Sequence, residues 1–105
     1  MISQERMEKA LTYLAETDEP LAKLKTDAER YEYVAKKVRS SIFLHSEGTV
    51  ADRQASADVS EEYANAMRDY FRARNDSLAM ENKRKTESLV YEAWRSINAN
   101  RRLSQ

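Results

Sequence analysis

Apolar side chains recur at alternating intervals of three and four residues along most of this chain. Intervals of three and four keep side chains on one face of an α-helix, close to the seam of a coiled coil. The pattern therefore predicts a long amphipathic helix over about residues 20–46. Its apolar positions are Leu21, Leu24, Ala28, Tyr31, Val34 or Ala35, Val38 and Ile42.

A similar pattern predicts a second long helix over about residues 50–98. Ser60 could begin a new helix and leave 50–58 as a short separate one. The four-residue spacing crosses this point, however, and favours one continuous helix. The last residues, 99–105, lose the pattern and are expected to fray. The apolar positions are Ala51, Ala55, Val59, Tyr63, Ala66 or Met67, Tyr70, Phe71 and Leu78, and then Leu89, Val90, Ala93, Trp94 and Ile97 after a polar stretch at 81–88.

The only glycine of the chain, Gly48, lies between these two stretches. Glycine tolerates a positive φ angle and is common just past the end of a helix. Thr49 and Asp52 then form a Thr-x-x-Asp pattern that can cap the helix that follows. The sequence therefore predicts a tight turn at 46–49 that joins two antiparallel helices.

A further helix is predicted over about residues 3–16, with Ser3 as its N-cap and with Met7, Leu11 and Leu14 on one face. Pro20 then interrupts the pattern, because proline is comfortable only in the first turn of a helix. We favour a break here over a kinked helix that runs through. The expected fold is all-α: one domain, 1–105, built as a long, coiled-coil-like antiparallel helical hairpin whose N-terminal helix is broken or kinked near Pro20.

Folding the chain back at the turn predicts which residues lie opposite each other. Ile42 should face about Arg53 and Tyr31 about Ala64. If the N-terminal helix continues the same line, Leu11 should face 81–88, and Ile2 and Met7 should face 89–97. Two helices packed side by side leave apolar edges in water. We therefore expect homo-oligomers, with four helices packed together.

The composition supports a helical protein without a membrane segment. Charged residues make up 34% of the chain, with one Gly and one Pro, as in long solvent-exposed helices. Its 18 basic and 18 acidic side chains cancel, and the absence of cysteine excludes disulfides and thiolate chemistry. No apolar run approaches the roughly 20 residues that span a bilayer, and the first residues lack the features of a signal peptide. A soluble, cytoplasmic protein is expected.

Candidate catalytic groups are few. His45 is the only histidine, and its place beside the turn is typical of a helix-end residue. The carboxylate pairs, Glu61-Glu62 and Glu16 with Asp18 and Glu19, are explained by helix starts. One glycine cannot build a phosphate-binding loop. We expect no enzyme, no cofactor and no metal site.

Basic clusters are the one feature that could indicate a binding site. Residues from 63 onward carry nine basic and five acidic side chains, a local charge of +4, whereas residues 1–32 carry five and eight, a local −3. Cations beside aromatic rings can bind phosphates and stack bases. Attraction between the oppositely charged arms is the favoured alternative, because the pI of about 6.6 is far from that of a dedicated nucleic-acid binder. The candidate contacts with nucleic acid or a protein partner are Arg68, Arg72, Arg74, Lys83, Arg84, Lys85 and Arg95.

Trp94 allows two interpretations. It can pack between the helices or serve as an exposed contact for a partner, where Trp is enriched. Its apolar neighbours Leu89, Val90 and Ile97 favour packing.

Four strings of the sequence resemble a family of short helical proteins, themselves without an assigned activity, that tailed phages and prophages encode. They are the opening MISQERMEKALTYLAETDE, then EGTVADR at 47–53, NKRKTE at 82–87 and WRSINANRR at 94–102. Members of the family are often encoded near recombination and replication genes. The resemblance implies a non-catalytic accessory role in phage DNA metabolism, through binding of protein or nucleic acid in the bacterial host. The alternative is a structural coiled-coil oligomer without nucleic-acid contact. None of the strings is a catalytic motif, so the resemblance assigns no functional residue.

Overall fold

The computed structural model describes residues 1–103, which form three α-helices. Helix α1 spans Gln4–His45, α2 spans Val50–Asp58 and α3 spans Glu61–Leu103. The structure is 91% helical, and no strand occurs among the described residues. The prediction of an all-α helical hairpin is confirmed.

The chain contacts group into two compact units. Unit 1 consists of Met1–Ala22 and Leu78–Gln105, and unit 2 consists of Lys23–Ser77. In unit 1 the first part of α1 pairs with the last part of α3. Unit 2 pairs the remaining parts of these two helices and also contains the turn and α2.

The break predicted at Pro20, between helices over 3–16 and 20–46, is wrong, because α1 is continuous from Gln4 to His45. Proline has no N–H to offer the carbonyl of Glu16, which lies four residues earlier. Both residues are exposed, so water can reach the unpaired carbonyl. The turn just before Pro20 is also held from α3, since Arg84 donates hydrogen bonds to the Leu14 carbonyl at 2.7 Å and to Thr17 Oγ1 at 2.6 Å.

The continuous helix predicted over 50–98 is also wrong, because α2 ends at Asp58 and α3 begins at Glu61. Ser60 explains the interruption. Its hydroxyl donates to the Ala57 carbonyl at 2.8 Å and accepts from the Tyr63 N–H at 3.2 Å, so it bonds both helix ends. At its far end α3 continues to Leu103, beyond the end predicted at residue 98. Residues 104 and 105 lie outside the described residues.

The predicted turn at 46–49 is confirmed. Gly48 has a φ of +109°, and Thr49 and Asp52 form a capping box. The Thr49 hydroxyl accepts from the Asp52 N–H at 3.1 Å, while the Asp52 carboxylate accepts from the Thr49 N–H at 3.2 Å. Arg53 joins the two sides of the turn, because its Nε donates to the Phe43 carbonyl at 3.0 Å and its guanidinium lies 4.4 Å from the centre of the Phe43 ring. This contact agrees with the predicted pairing of Ile42 with about Arg53.

The core is thin and is built mainly from small side chains. The buried apolar residues are Met7, Ala10, Ala35 and Ala57, and no large side chain among the described residues is fully buried. Several predicted core positions are instead exposed, because polar residues occupy part of the buried face: Ser77 is buried where Leu78 was expected. The exposed positions are Leu11, Tyr31, Ala51, Ala55, Val59, Phe71, Leu78, Leu89 and Ala93, whereas Trp94 is half-buried.

Candidate interaction surfaces

An ion pair joins the two helices of unit 1. Arg6 donates two hydrogen bonds to the Glu87 carboxylate, from Nη1 at 2.6 Å and from Nη2 at 2.9 Å. The Glu87 side chain is only 11% exposed. The bonds from Arg6 hold the pKa of the Glu87 carboxyl below its usual range, and they raise the pKa of Arg6 in turn. This fork-to-fork geometry fits one alignment of the two helices and disfavours others.

A second polar contact in unit 1 is centred on Arg84. Besides its bonds to Leu14 and Thr17, Arg84 Nη2 lies 3.3 Å from a carboxylate oxygen of Asp18. The Thr17 hydroxyl donates in turn to the Tyr13 carbonyl at 2.7 Å. Lys83 Nζ lies 4.6 Å from the centre of the Tyr13 ring, a cation–π distance. The stretch predicted to be polar on every face therefore supplies the polar contacts between α1 and α3.

These contacts involve two of the three cations of the basic site predicted at 83–85 in unit 1. Lys83 and Arg84 contact α1, and only Lys85 of the three consecutive cations is exposed without a described contact to that helix. Arg95 is exposed as well, and its Nη1 lies 3.9 Å from the carboxylate of Glu92 on the same helix. Residues 83–85 thus do not present three cations together to a partner.

The predicted basic residues of unit 2 lie on the surface of α3. Arg68 donates to the side chain of Asn65 at 3.2 Å. Arg74 lies near Glu32, whose pKa is lowered chiefly by the hydrogen bond from Lys36 and further by the charge of Arg74. Arg72 lines a groove between α1 and α3. Their exposure leaves them accessible to a partner.

That groove is a concave surface of unit 2, and we call it the unit 2 groove. Its larger part encloses about 620 Å³. Tyr31 and Val34 are each 43% exposed beside it, so apolar surface reaches the solvent there. Charged groups of both signs surround these two residues. The lining consists of Lys23, Leu24, Asp27, Arg30, Tyr31 and Val34 of α1, and of Glu62, Asn65, Ala66, Asp69, Arg72, Ala73 and Asp76 of α3.

A second, shallower surface lies along α1 alone. Tyr33, Lys37, Ser40 and Leu44 follow one another at intervals of four, three and four residues, which places them on one helix face. Tyr33 and Leu44 are both exposed. Lys37 Nζ lies 5.0 Å from the centre of the Tyr33 ring. We call this surface the α1 outer face.

Two findings concern the candidate catalytic and metal-binding groups. His45 Nδ1 lies 2.7 Å from the Ser41 carbonyl, one turn earlier in α1, as expected of a helix-end residue. Among residues 1–103, no group of three or more His, Cys, Asp or Glu is placed to hold a metal ion. No helix in the same range is long and apolar enough to cross a membrane.

Sequence reasoning missed the interhelical ion pairs. Besides Arg6 with Glu87, Arg39 Nε lies 2.7 Å from the Asp58 carboxylate in unit 2. The predicted pairing about the turn already placed residue 39 within a few residues of 58. The opposite charges of Arg39 and Asp58 at these paired positions could therefore have predicted the ion pair.

No protein-family model matches the chain, and neither a curated protein nor a solved structure shows significant similarity to it. The resemblance to phage-encoded proteins stays an expectation.

Proposed function

We propose that this protein is a non-catalytic interaction module that works by binding protein chains, beginning with its own copies. The observation that supports this most directly is the contrast between its core and its surface. Alanines make up most of the buried apolar residues, while many larger apolar side chains remain in contact with solvent.

The exposed apolar side chains would gain free energy if another chain buried them. In unit 2 they are Tyr31, Tyr33, Val34, Leu44, Val50, Val59 and Phe71. Full burial of one such side chain is worth about 1.5–3 kcal/mol, and these residues are only partly buried. Single exposed apolar residues are common, but apolar surface beside a groove is typical of an interaction site. Association of helical hairpins into bundles is the usual way to bury surface of this kind.

The cellular role we propose is that of an accessory factor in phage DNA metabolism. Only the resemblance of the sequence strings supports this part of the proposal. A helical module that binds other chains suits such a role without any catalytic group of its own.

A second candidate function, direct contact with nucleic acid, draws support from one part of α3. Arg72 and Arg74 are exposed there, close in sequence to the exposed ring of Phe71. Phe71 lies 5.4 Å from the Tyr70 ring, centre to centre, at an angle of 37°. Cations beside exposed aromatic rings can bind single strands. The contacts of Lys83 and Arg84 within unit 1 weaken this candidate.

Sedimentation over a wide range of concentrations tests the main proposal. We expect the mass to rise above the 12.2 kDa of one chain as the concentration increases. A mass that stays at one chain up to the highest concentration would overturn self-association.

Titration of labelled single- and double-stranded DNA at several salt concentrations separates the two candidates. Phosphate contacts make the logarithm of the affinity fall linearly with the logarithm of salt. We expect no such binding at low salt. Micromolar binding with a steep salt slope, lost on changing Arg72, Arg74 and Lys85 to alanine, would favour the nucleic-acid function instead. A variant with Lys9 changed to alanine is the control for removal of an exposed cation elsewhere.

A further inference from the structure

We propose that the side of α3 that faces solvent in unit 1 binds the same surface of a second copy, with the two copies related by a two-fold axis and their α3 helices antiparallel. The inference rests on the proposed function and names a surface for self-association. We call this surface the α3 outer face. Its principal residues are Leu78, Asn82, Lys85, Leu89, Glu92 and Ser96.

The α3 outer face points away from α1. Leu89 is 70% exposed, and Leu78, which lies eleven residues or about three helical turns earlier, is 43% exposed. Arg84 and Glu87, which hydrogen-bond to α1, lie on the other side of the helix. The contacts that fix the helix alignment therefore leave both leucines in solvent. The other exposed residues of this face are Asn82, Lys85, Glu92 and Ser96.

Charged residues of alternating sign follow one edge of this face. At about 100° per residue, their side chains leave the helix between about 40° and 120° to the same side of Leu89. Lys85 and Glu92 lie nearest to Leu89, and both are exposed. The half-buried Glu81 and the exposed Arg95 lie farther out along the same edge. The order along the chain is Glu81, Lys85, Glu92 and Arg95.

The remaining charged residues of α3 in unit 1 lie toward α1. Arg101 donates to the Met1 sulfur at 3.2 Å, close to the start of α1. Arg102 lies eighteen residues, or about five turns, after Arg84 and is therefore on the same side of α3. A second copy on the α3 outer face would thus meet the charges of the edge. The residues that contact α1 are Lys83, Arg84 and Glu87.

A two-fold axis between Ser88 and Leu89 pairs opposite charges along this edge. In an antiparallel pair the same edge of both helices meets, and residues equally far from the axis lie level with each other. Lys85 lies level with Glu92 of the other copy, because each is three to four residues from the axis. Glu81 and Arg95 of the other copy are also about level. Each pair occurs twice in the dimer, so the edge is complementary to itself.

A parallel pair would gain none of these contacts. The charged edge of each helix would then face the opposite edge of the other copy, as positions e and g do in parallel coiled coils. That opposite edge carries Asn82, Thr86 and Ala93, which have no charge. Complementary charges fix the orientation of partners, so the order of charges selects the antiparallel copy.

Leu89 supplies the apolar contact at the centre. It lies next to the axis, so the leucines of the two copies meet and cover each other's exposed surface. Asn82 is about level with Ser96 of the other copy, and these small polar side chains can hydrogen-bond across the interface. Leu78 lies level with Ala99 of the other copy, at the end of the contact. One helix face is a small interface, so we expect a weak dimer whose population depends on concentration.

Disulfide crosslinking tests the position of the axis, since the chain has no cysteine of its own. We expect Leu89→Cys to form a disulfide-linked dimer on mild oxidation, because the two copies of residue 89 meet. Leu78→Cys should not, because its two copies are 21 residues or about 30 Å apart, far beyond the roughly 7 Å that a disulfide allows between Cα atoms. Leu44→Cys, exposed in unit 2, controls for random collision. Crosslinking of Leu78→Cys as readily as Leu89→Cys would overturn the antiparallel arrangement.

Charge reversal tests the pairing. We expect Lys85→Glu or Glu92→Lys alone to weaken dimerisation by about tenfold or more, because each creates two like-charge contacts per dimer. An equimolar mixture of these two variants should dimerise at least tenfold more tightly than either alone, since one copy then supplies two carboxylates and the other two ammonium groups. Lys9→Glu, an exposed reversal on α1 of unit 1, should leave the dissociation constant unchanged. A mixture that associates no better than the single variants would overturn the charge pairing.

Apolar truncation tests the contact at the axis. We expect Leu89→Ala to weaken dimerisation by about tenfold or more, because two leucines are lost per dimer. Leu44→Ala, on the α1 outer face, should leave it unchanged. Circular dichroism on every variant separates loss of association from loss of folding.

Failure of this inference can be distinguished from failure of the proposed function. If the wild type dimerises but neither the reversals nor Leu89→Ala affect it, the α3 outer face is not the interface and self-association stands. If Leu44→Ala is the change that dissociates the dimer, the α1 outer face is the interface and the assignment to α3 is again wrong. If the wild type is a single chain at every concentration, both proposals fall.

Discussion

The same two helices, α1 and α3, are joined differently in the two units. In unit 1 charged side chains cross between them: Arg6 to Glu87, and Arg84 to Leu14, Thr17 and Asp18. In unit 2 the bonds of Arg39 with Asp58 and of Arg53 with Phe43 join α1 to α2, while exposed Tyr31 and Val34 lie beside an open groove between α1 and α3.

This difference suggests a division of roles. A bidentate ion pair is demanding in geometry and adds little net stability once desolvation is counted, but it can specify one register. The exposed apolar residues of the unit 2 groove are accessible to a partner. We therefore propose that the inner contacts of unit 1 fix the helix alignment and that the unit 2 groove associates with other chains.

Removing Arg6 should give the largest effect on stability. Arg6→Met leaves the mostly buried carboxylate of Glu87 without its two hydrogen bonds, and unpaired buried charges are strongly unfavourable. We expect the melting temperature to fall by about 10–15 °C, with faster hydrogen exchange concentrated in residues 1–22 and 78–103.

A double variant separates the ion pair from simple loss of packing. Arg6→Met combined with Glu87→Leu replaces both charges by apolar groups and should recover most of the lost stability. Arg95→Met removes a cation from an exposed pair and should change little. A double variant as unstable as Arg6→Met would show that the charge left on Glu87 is not the cause.

Replacing Pro20 should give the next largest effect, with the opposite sign. Pro20→Ala restores the N–H that the Glu16 carbonyl lacks, and we expect the free energy of unfolding to rise by about 2 kcal/mol in chemical denaturation. Glu19→Ala, at the exposed neighbouring position, should change it by less than about 0.5 kcal/mol. A loss of stability in Pro20→Ala would show that the missing N–H at Pro20 does not destabilise α1.

Adding a side chain at Gly48 should destabilise unit 2. A Cβ there would lie 2.9 Å from Asp52 Oδ2, and the φ of +109° is unfavourable for any residue with a Cβ. We expect Gly48→Ala to lower the free energy of unfolding by about 1–2 kcal/mol. Hydrogen exchange should quicken first in 23–77, whereas Glu47→Ala should leave it unchanged. Equal quickening in 1–22 would show that the two units unfold together.

The sequence was sufficient for those features that depend on local chemistry. The all-α hairpin follows from the three- and four-residue spacing, and the turn follows from Gly48 and the capping pattern of Thr49. The continuity of α1 through Pro20 could not be predicted locally, because it depends on solvent exposure of the proline and on Arg84, which is distant in sequence. The sequence did indicate a possible helix start at Ser60. We favoured a continuous helix because the four-residue spacing of apolar residues runs across that position.

The candidate surfaces were harder to predict than the fold. Composition marked Lys83, Arg84 and Lys85 as one cluster, but two of them contact α1 once the helices pair. The unit 2 groove depends on which side chains of two helices lie at the same level. Apolar residue type alone did not identify the buried face, because Ser77 is buried there and Leu78 is exposed.

The smallest effect we predict is a pH dependence that depends on the Arg6–Glu87 pair. Because the folded pKa of Glu87 lies below its ordinary value of 4.5, the unfolded chain binds more protons between the two pKa values. The stabilisation is therefore complete above pH 4.5 and is lost as the pH falls through the folded pKa. Melting temperatures from pH 7 to pH 3 should show this loss in the wild type, and the variant with Arg6→Met and Glu87→Leu should lack that component. If both proteins lose stability in parallel over this range, the Arg6–Glu87 pair does not contribute the proton linkage.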